Sequence, residues 1–261
     1  MDTLEKIDIG ITPDELVARA SALKPALRAR QRETERNRRV PLENVADLKE
    51  AELYKVQQPA RYGGFEFDIW TFVRCAIEVG AGCGSTAWVY STAAQHQWQI
   101  GMFDDAAQEE VWGENPLAIS ASSYSPGGTA IEVDGGYRLT GKWLYCSGVL
   151  NADWMILGAR IAKDAASDPY TQGYVLVPKA DFTVEDNWDV MGLIGTGSSD
   201  VILDDLFIPT HRMLTLEQAL SGNPPGAAVN KNDLWKVPFF AAISICLCAP
   251  LVGMAQGALE T

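Results

Sequence analysis

Two groups of residues in this chain have the type and spacing to do chemistry. The first closes the run Asp134-Gly-Gly-Tyr-Arg-Leu-Thr-Gly-Lys-Trp-Leu-Tyr-Cys-Ser-Gly148. Cys146, Ser147 and Gly148 are small residues at the end of an expected strand, so a flat molecule can approach the backbone there closely. The Ser147 hydroxyl can both donate and accept a hydrogen bond. The second group surrounds His96, one of only two histidines, in Gly82-Cys-Gly-Ser-Thr-Ala-Trp-Val-Tyr-Ser-Thr-Ala-Ala-Gln-His96-Gln-Trp98. An imidazole titrates close to operating pH, which suits a general base. Trp88 lies two helical turns before His96, placed to wall the same pocket or to pack in a core. Spacing alone leaves the plain readings open: a hairpin ending in a turn, and a histidine satisfied inside a core. His211, just past Pro209, reads as structural or surface.

The elements that must position these groups change character along the chain. Residues 13–36 form an amphipathic helical pattern with Leu16, Ala20, Leu23 and Leu27 on one stripe, which Pro25 kinks or divides. Six arginines between 28 and 39 are interleaved with Glu33 and Glu35, so they read as a solvated face and not a basic patch. A second helix with Pro41 in its first turn carries Val45, Leu48 and Leu53. Helices are predicted at 68–82 and 85–103, the latter capped by Ser85. Asp105 and Gln108 give a capping-box pattern for another helix through Trp112.

From 117 to 209 short β-rich runs alternate with Gly, Asp and Pro turns. Asp134-Gly135-Gly136 is a hairpin signal, and the returning strand is expected to run through Trp143, Leu144 and Tyr145 into Cys146. Trp154 to Ala159 is continuously apolar, as in a strand buried on both faces. A polar loop (162–171), a strand at Tyr174–Pro178 and another at Val201–Pro209 follow. Six or more such strands predict a small barrel or sandwich. After a polar loop at 221–232, residues 237–259 carry no charge. Pro238, Pro250, Gly253 and Gly257 make this a poor membrane span, and a buried helix is expected instead. The pattern is still running at Thr261, so the partners of this helix are expected outside the chain, which reads as a fragment or truncated form.

Composition narrows the classes. With 47% hydrophobic and 21% charged residues, 261 residues supply a sizeable core. A net charge of −13 argues against nucleic acid and anionic membranes as partners. Five scattered cysteines (75, 83, 146, 246, 248) fit neither a disulfide framework nor a zinc signature, and no metal is expected. They read as buried small hydrophobes. The polar N-terminus Met-Asp-Thr-Leu-Glu-Lys shows no apolar signal region, so a cytoplasmic location is expected. No Gly-x-Gly-x-x-Gly follows a strand, so binding of a nicotinamide cofactor is not expected.

Several motifs occur together and in order: Leu53-Tyr-Lys-Val-Gln-Gln-Pro-Ala-Arg-Tyr-Gly-Gly-Phe-Glu66, the His96 segment, Gln108-Glu-Glu-Val-Trp-Gly-Glu-Asn-Pro116, Ser120-Ala-Ser-Ser-Tyr-Ser-Pro-Gly-Gly128, the Ser147 hairpin, and Met191-Gly-Leu-Ile-Gly-Thr-Gly-Ser-Ser-Asp200. From about 36 to 212 the chain resembles the acyl-CoA dehydrogenase superfamily. Within it, the chain is similar to the two-component flavin-dependent monooxygenases, such as the oxygenases of 4-hydroxyphenylacetate and steroid-phenol hydroxylation. The resemblance implies an α+β multidomain fold. An N-terminal helical domain (1–115) precedes a middle β-barrel or sandwich domain holding the flavin ring (116–212). A linker and the first helix of an incomplete C-terminal four-helix domain follow (213–261).

The same resemblance implies an oxygenase that receives reduced FMN or FAD from a separate NAD(P)H:flavin reductase. It would react with O₂ through a C4a-hydroperoxyflavin and hydroxylate a phenol or other small aromatic; the full-length form would be a homotetramer. By position, Ser147 matches the hydroxyl at flavin N5, His96 the histidine facing the phenol, and Ser122 a serine at both substrate and flavin. Ser123, Tyr124, Tyr145 and Cys146 would border the flavin, and Trp88 the substrate. Ile194 departs from the family, where Arg usually precedes Gly-Thr-Gly. An acyl-CoA dehydrogenase, or a flavin-binding module without turnover, stands as the alternative.

Overall fold

The computed structural model describes residues 10–260. The polar N-terminal run in which no signal region is expected lies outside the described residues. The first amphipathic stripe is cut into three helices, α1 (Pro13–Ala22), α2 (Lys24–Ala29) and α3 (Gln31–Arg36). Pro25, in the first turn of α2, has no N–H with which to continue the ladder of α1. The stripe nevertheless buries Leu16, Ala20 and Leu27 completely. Among the described residues, three of the six arginines are ion-paired: Arg28 with Glu260 at 3.2 Å, Arg30 with Asp47 at 2.6 Å and Arg38 with Asp186 at 2.9 Å.

Helix α4 (Leu42–Glu50) begins one residue later than expected, because Pro41 is its extended N-cap residue and not part of the first turn. Helix α5 (Ile69–Gly82) is capped by Asp68, whose side chain accepts from the Thr71 amide. Helix α6 (Gly84–Ile100) starts after Cys83, which has the extended backbone a cap requires. Ser85 is therefore not its cap but lies buried in the first turn. Helix α7 (Asp105–Trp112) is capped by Asp104 instead of the Asp105–Gln108 pair. Gln108 turns the other way and donates to the Gly101 and Phe103 carbonyls just beyond the end of α6.

Strands β1 (Ser120–Val133), β2 (Gly136–Trp143), β3 (Trp154–Ala162), β4 (Thr171–Pro178), β5 (Thr183–Glu185), β6 (Asp200–Pro209) and β7 (Met213–Thr215) follow. They form one mixed seven-stranded sheet, in the order β5-β6-β2-β1-β3-β4-β7, where the sequence expected a small barrel or sandwich. The β1–β2 hairpin has the expected turn, with Val133 opposite Gly136 and Gly135 at φ 76°. Strand β3 pairs parallel with β1 and antiparallel with β4, and only Arg160 in it is exposed. A strand flanked on both sides explains the unbroken apolar run. Strand β2 stops at Trp143, two residues short of the expected end.

Helices α8 (Leu216–Leu220) and α9 (Phe239–Leu259) complete the order. Among the described residues α9 is the only helix long and apolar enough to cross a bilayer. It packs along α5 and α6, so at least one face finds its partners inside this chain, contrary to the sequence expectation. A Cβ at Gly253 would strike the Ile77 carbonyl and Gly80 Cα of α5, so the two backbones touch where only glycine fits. Pro250 lies inside α9 and cannot donate to the Cys246 carbonyl one turn earlier. Ser91 of α6 fills that gap, its hydroxyl donating to Cys246 O at 2.5 Å. On the opposite side Phe240, Leu251, Val252 and Leu259 are exposed.

Candidate active site

A cleft of about 520 Å³ opens between α6, the ends of β1 and β2, and α9. Trp88, His96, Ser122, Ser123, Tyr124, Tyr145 and Ser147, all singled out from sequence, line it together. Trp88, Thr92 and His96 share one face of α6 because they are spaced by four. Ser122 to Tyr124 come from the start of β1, and Ser123 donates to the Leu144 carbonyl at 2.8 Å. That bond holds the chain leaving β2 against β1.

The chain then turns sharply. Tyr145 has φ +59°, a left-handed conformation that costs a bulky residue of order 1 kcal/mol. Backbone bonds from Cys146 N to Ser199 O and from Gly148 N to Thr196 O hold the turn in place. Gly148 is itself at φ +79°, with Val89 of α6 only 2.7 Å from where a Cβ would lie. The turn sends Tyr145 and Ser147 to the cleft and Cys146 away from it. Cys146 is fully buried against the sheet, its thiol donating to the Trp143 carbonyl at 3.4 Å and pushed up to about 12 by burial. It is not a cleft residue, which corrects its assignment from sequence.

His96 is 1% exposed. Its Nδ1 lies 2.9 Å from the Ser120 carbonyl, which can only accept, so Nδ1 carries the proton and Nε2 is the acceptor. Burial pushes its pKa down to about 4, outweighing the opposing bond to Ser120. The imidazole is thus held neutral well below the range in which histidine ordinarily titrates. Tyr124 meets it edge-on at 6.0 Å and bonds to the side-chain oxygens of Gln95 and Gln99. Burial holds this phenol well above its usual range.

Ser147 sits in a chain of hydroxyls. Trp88 Nε1 donates to Ser147 Oγ at 3.3 Å, Ser147 Oγ is 2.8 Å from Ser198 Oγ, and Ser198 Oγ is 2.6 Å from Thr196 Oγ1. Thr196 Oγ1 in turn donates to the Leu193 carbonyl at 2.9 Å. Thr196 and Ser198 belong to the Gly-Thr-Gly-Ser-Ser run, but that run as a motif gave them no role. Ile194 opens the short turn leading into them and is partly buried. Sequence reasoning also missed the third wall, where Ile243, Cys246 and Leu247 of α9 face the cleft. The signal was the unbroken apolar run, which reads only as burial until α9 is docked on α6.

These residues suit a flavin ring: a slot of drug-ligand size, walls mostly of aromatic and apolar side chains, and hydroxyls gathered at one strand end. Tyr145 and Trp88 line it with aromatic rings, and Lys142 brings a cation to the cleft, paired with Asp200 at 3.1 Å.

Comparison with known proteins agrees with this architecture. Residues 17–115 match the family "Acyl-CoA dehydrogenase, N-terminal domain". The chain is 39% identical over 245 residues to the FADH(2)-dependent resorcinol hydroxylase, oxygenase component, of Rhizobium sp. (strain MTP-10005), covering 94% of this chain and 60% of that protein. The crystal structure of the HsaA monooxygenase from M. tuberculosis superimposes with a TM-score of 0.93 at 36% identity, covering 96% of this chain and 68% of the other. XiaF from Streptomyces sp., in complex with FADH2 and glycerol, gives 0.87 at 34% identity, with 94% and 62% covered. The fold is that of the acyl-CoA dehydrogenase superfamily. The chain belongs to the branch of that superfamily formed by the oxygenase components of flavin-dependent monooxygenases. It spans 60% and 63% of the length of two of its curated relatives.

Proposed function

We propose that this chain is the flavin- and substrate-holding part of an oxygenase that hydroxylates a phenol or related small aromatic with reduced flavin and O₂. The observation that supports it most is a buried His96, held through Nδ1 by the Ser120 carbonyl, sharing one cleft with the Ser147 hydroxyl. The relatives point the same way, since they are named resorcinol hydroxylase and flavin-dependent monooxygenase, and one is described with FADH2 bound. FMN and FAD both remain candidates, and a separate NAD(P)H:flavin reductase, a homotetrameric full-length form and a cytoplasmic location belong to the same proposal. So does the division into a helical part to residue 115, a flavin-holding part to 212 and the start of a second helical part.

Bound reduced flavin would supply the chemistry that activates O₂ and passes one oxygen atom to the substrate. Ser147 would hold the flavin edge at N5, with Ser122, Ser123 and Tyr145 around the ring. Trp88 and the apolar face of α9 exclude water, which protects a reactive oxygen species from unproductive loss. His96 accepts a hydrogen bond at Nε2 from the substrate hydroxyl and takes its proton as the ring becomes phenolate-like. The anion formed beside Nε2 supplies an opposite charge, and so raises the imidazole's hold on the proton. Nδ1 keeps the ring oriented through the Ser120 carbonyl.

The test is to mix the chain with photoreduced FMN or FAD, then O₂, across a panel of phenols and, separately, acyl-CoA thioesters. A hydroxylated phenol supports the reading. Oxidised thioester without hydroxylation would transfer the assignment to the dehydrogenase branch, and flavin binding without any product would leave a non-catalytic module.

A further inference from the structure

We propose that Ser198 and Thr196 are positioning residues that set the direction of the hydrogen bonds at Ser147, so that the cleft discriminates reduced from oxidised flavin. This rests on the reading of the cleft as a flavin site. Each hydroxyl has one proton to give. At one end of the chain Trp88 Nε1 can only donate, and at the other the Leu193 carbonyl can only accept. If Thr196 gives its proton to Leu193 O, it must accept from Ser198, and Ser198 must accept from Ser147. Ser147 then accepts from Trp88 and has one lone pair left for the cleft. Every hydroxyl proton is satisfied within the protein.

The reverse order has Thr196 donating to Ser198, Ser198 to Ser147, and Ser147 into the cleft. It gives up the Thr196 bond to Leu193 O, so it costs one hydrogen bond relative to the forward order. A typical net hydrogen bond is worth about fivefold in an equilibrium constant. Reduced flavin carries a proton on N5 and needs an acceptor; oxidised flavin has a bare N5 and needs a donor. The forward order serves the reduced form. The oxidised form either forgoes the bond or forces the reversal.

The experiment titrates the 261-residue chain with FMN and with FAD, each oxidised in air and photoreduced under anaerobic conditions, following flavin absorbance and fluorescence. The wild type should bind the reduced form more tightly. Thr196→Val removes the anchor, and should lower the ratio of oxidised to reduced Kd about fivefold. By linkage that moves the bound two-electron potential by about 20 mV in the negative direction. Ser198→Ala frees the Ser147 proton outright and should lower the ratio at least as far. Thr196→Ser, which keeps the hydroxyl, should restore it. Thermal melts establish that each variant folds, and Ser198→Ala carries the test if Thr196→Val does not. A merely structural role would weaken both forms equally, and that result overturns the proposal, as does a wild type that favours oxidised flavin or neither form. If the wild type binds flavin in neither state, the flavin reading falls and this inference with it. Binding in both states with an unmoved ratio removes only the inference.

Discussion

The helix wall and the strand wall of the cleft handle protons in different ways. On α6, His96 is buried and tied through Nδ1 to a carbonyl, so its tautomer is fixed and, until a substrate anion forms beside it, burial disfavours its charged form. Gln95 and Gln99 beside it are equally buried, with their side-chain oxygens on Tyr124. At the strand ends Ser147, Ser198 and Thr196 are hydroxyls that rotate, and the direction of their bonds changes for about one hydrogen bond. Burial stabilises one protonation state, whereas a hydroxyl chain stabilises one direction and keeps the other within reach. A site that must hold a neutral base while accommodating a partner whose protonation changes has use for both.

The two walls make different predictions. The largest effect is expected at the helix wall. His96→Asn should lower the hydroxylation rate by about 100-fold, the lower end of what a positioned base contributes. Reduced flavin should still be consumed, with H₂O₂ rising to match the lost product. High pH should restore part of the yield, because the phenol then ionises unaided. In the wild type, an imidazole held near 4 contributes no ionisation limb around pH 6.5 to the rate profile. A limb there that disappears in His96→Asn would show that the imidazole is not buried as described.

Acid stability sharpens the same point. The folded pKa of His96 lies near 4, below the unfolded value of 6.5, so between these pH values the unfolded chain binds a proton that the folded chain does not. Stability is therefore retained above pH 6.5 and lost as pH falls toward 4, by up to about 3 kcal/mol. Denaturant unfolding at pH 7 and pH 4.5 should show this loss, and His96→Phe should show a smaller one. Equal losses would place the acid sensitivity elsewhere.

Ser91→Ala tests the support of the helix wall. It leaves the Cys246 carbonyl unpaired next to Pro250 in a buried contact and should cost about 2 kcal/mol of stability. A midpoint of unfolding that does not move would mean that water replaces the serine. The smallest effect belongs to the strand wall. Ser147→Ala removes a bond of roughly 1–2 kcal/mol at the flavin edge, so the ratio of hydroxylated product to H₂O₂ should fall about 5–30-fold. An unchanged ratio would take Ser147 out of the chemistry and leave the comparison between the walls without its second member.

Much of this was legible in the chain itself. The change from α to β near 117, the Asp134-Gly135 hairpin, the doubly buried strand at 154 and the last apolar helix follow from periodicity and turn chemistry, which are local. The family motifs brought seven of the eight named site residues into one cleft. The eighth, Cys146, was lost because an expected strand through Tyr145 gives no warning of a left-handed residue there. That conformation is imposed by backbone bonds to Ser199 and Thr196, some fifty residues on.

What sequence determined by itself was the set of elements and the kinds of side chain available, because helix and strand periods and turn residues act over a few neighbours. What only tertiary structure decided was how those side chains are used. The low pKa of His96 comes from burial in the folded chain, which outweighs the opposing bond to Ser120 of β1. The hydroxyl chain joins residues on two separate segments. The face of α9 that closes the cleft is selected by Gly253 against α5 and by the carbonyl that Pro250 leaves for Ser91. Desolvation and hydrogen-bond direction depend on everything within a few ångströms, whatever its distance along the chain, and so they appear only once the chain is folded.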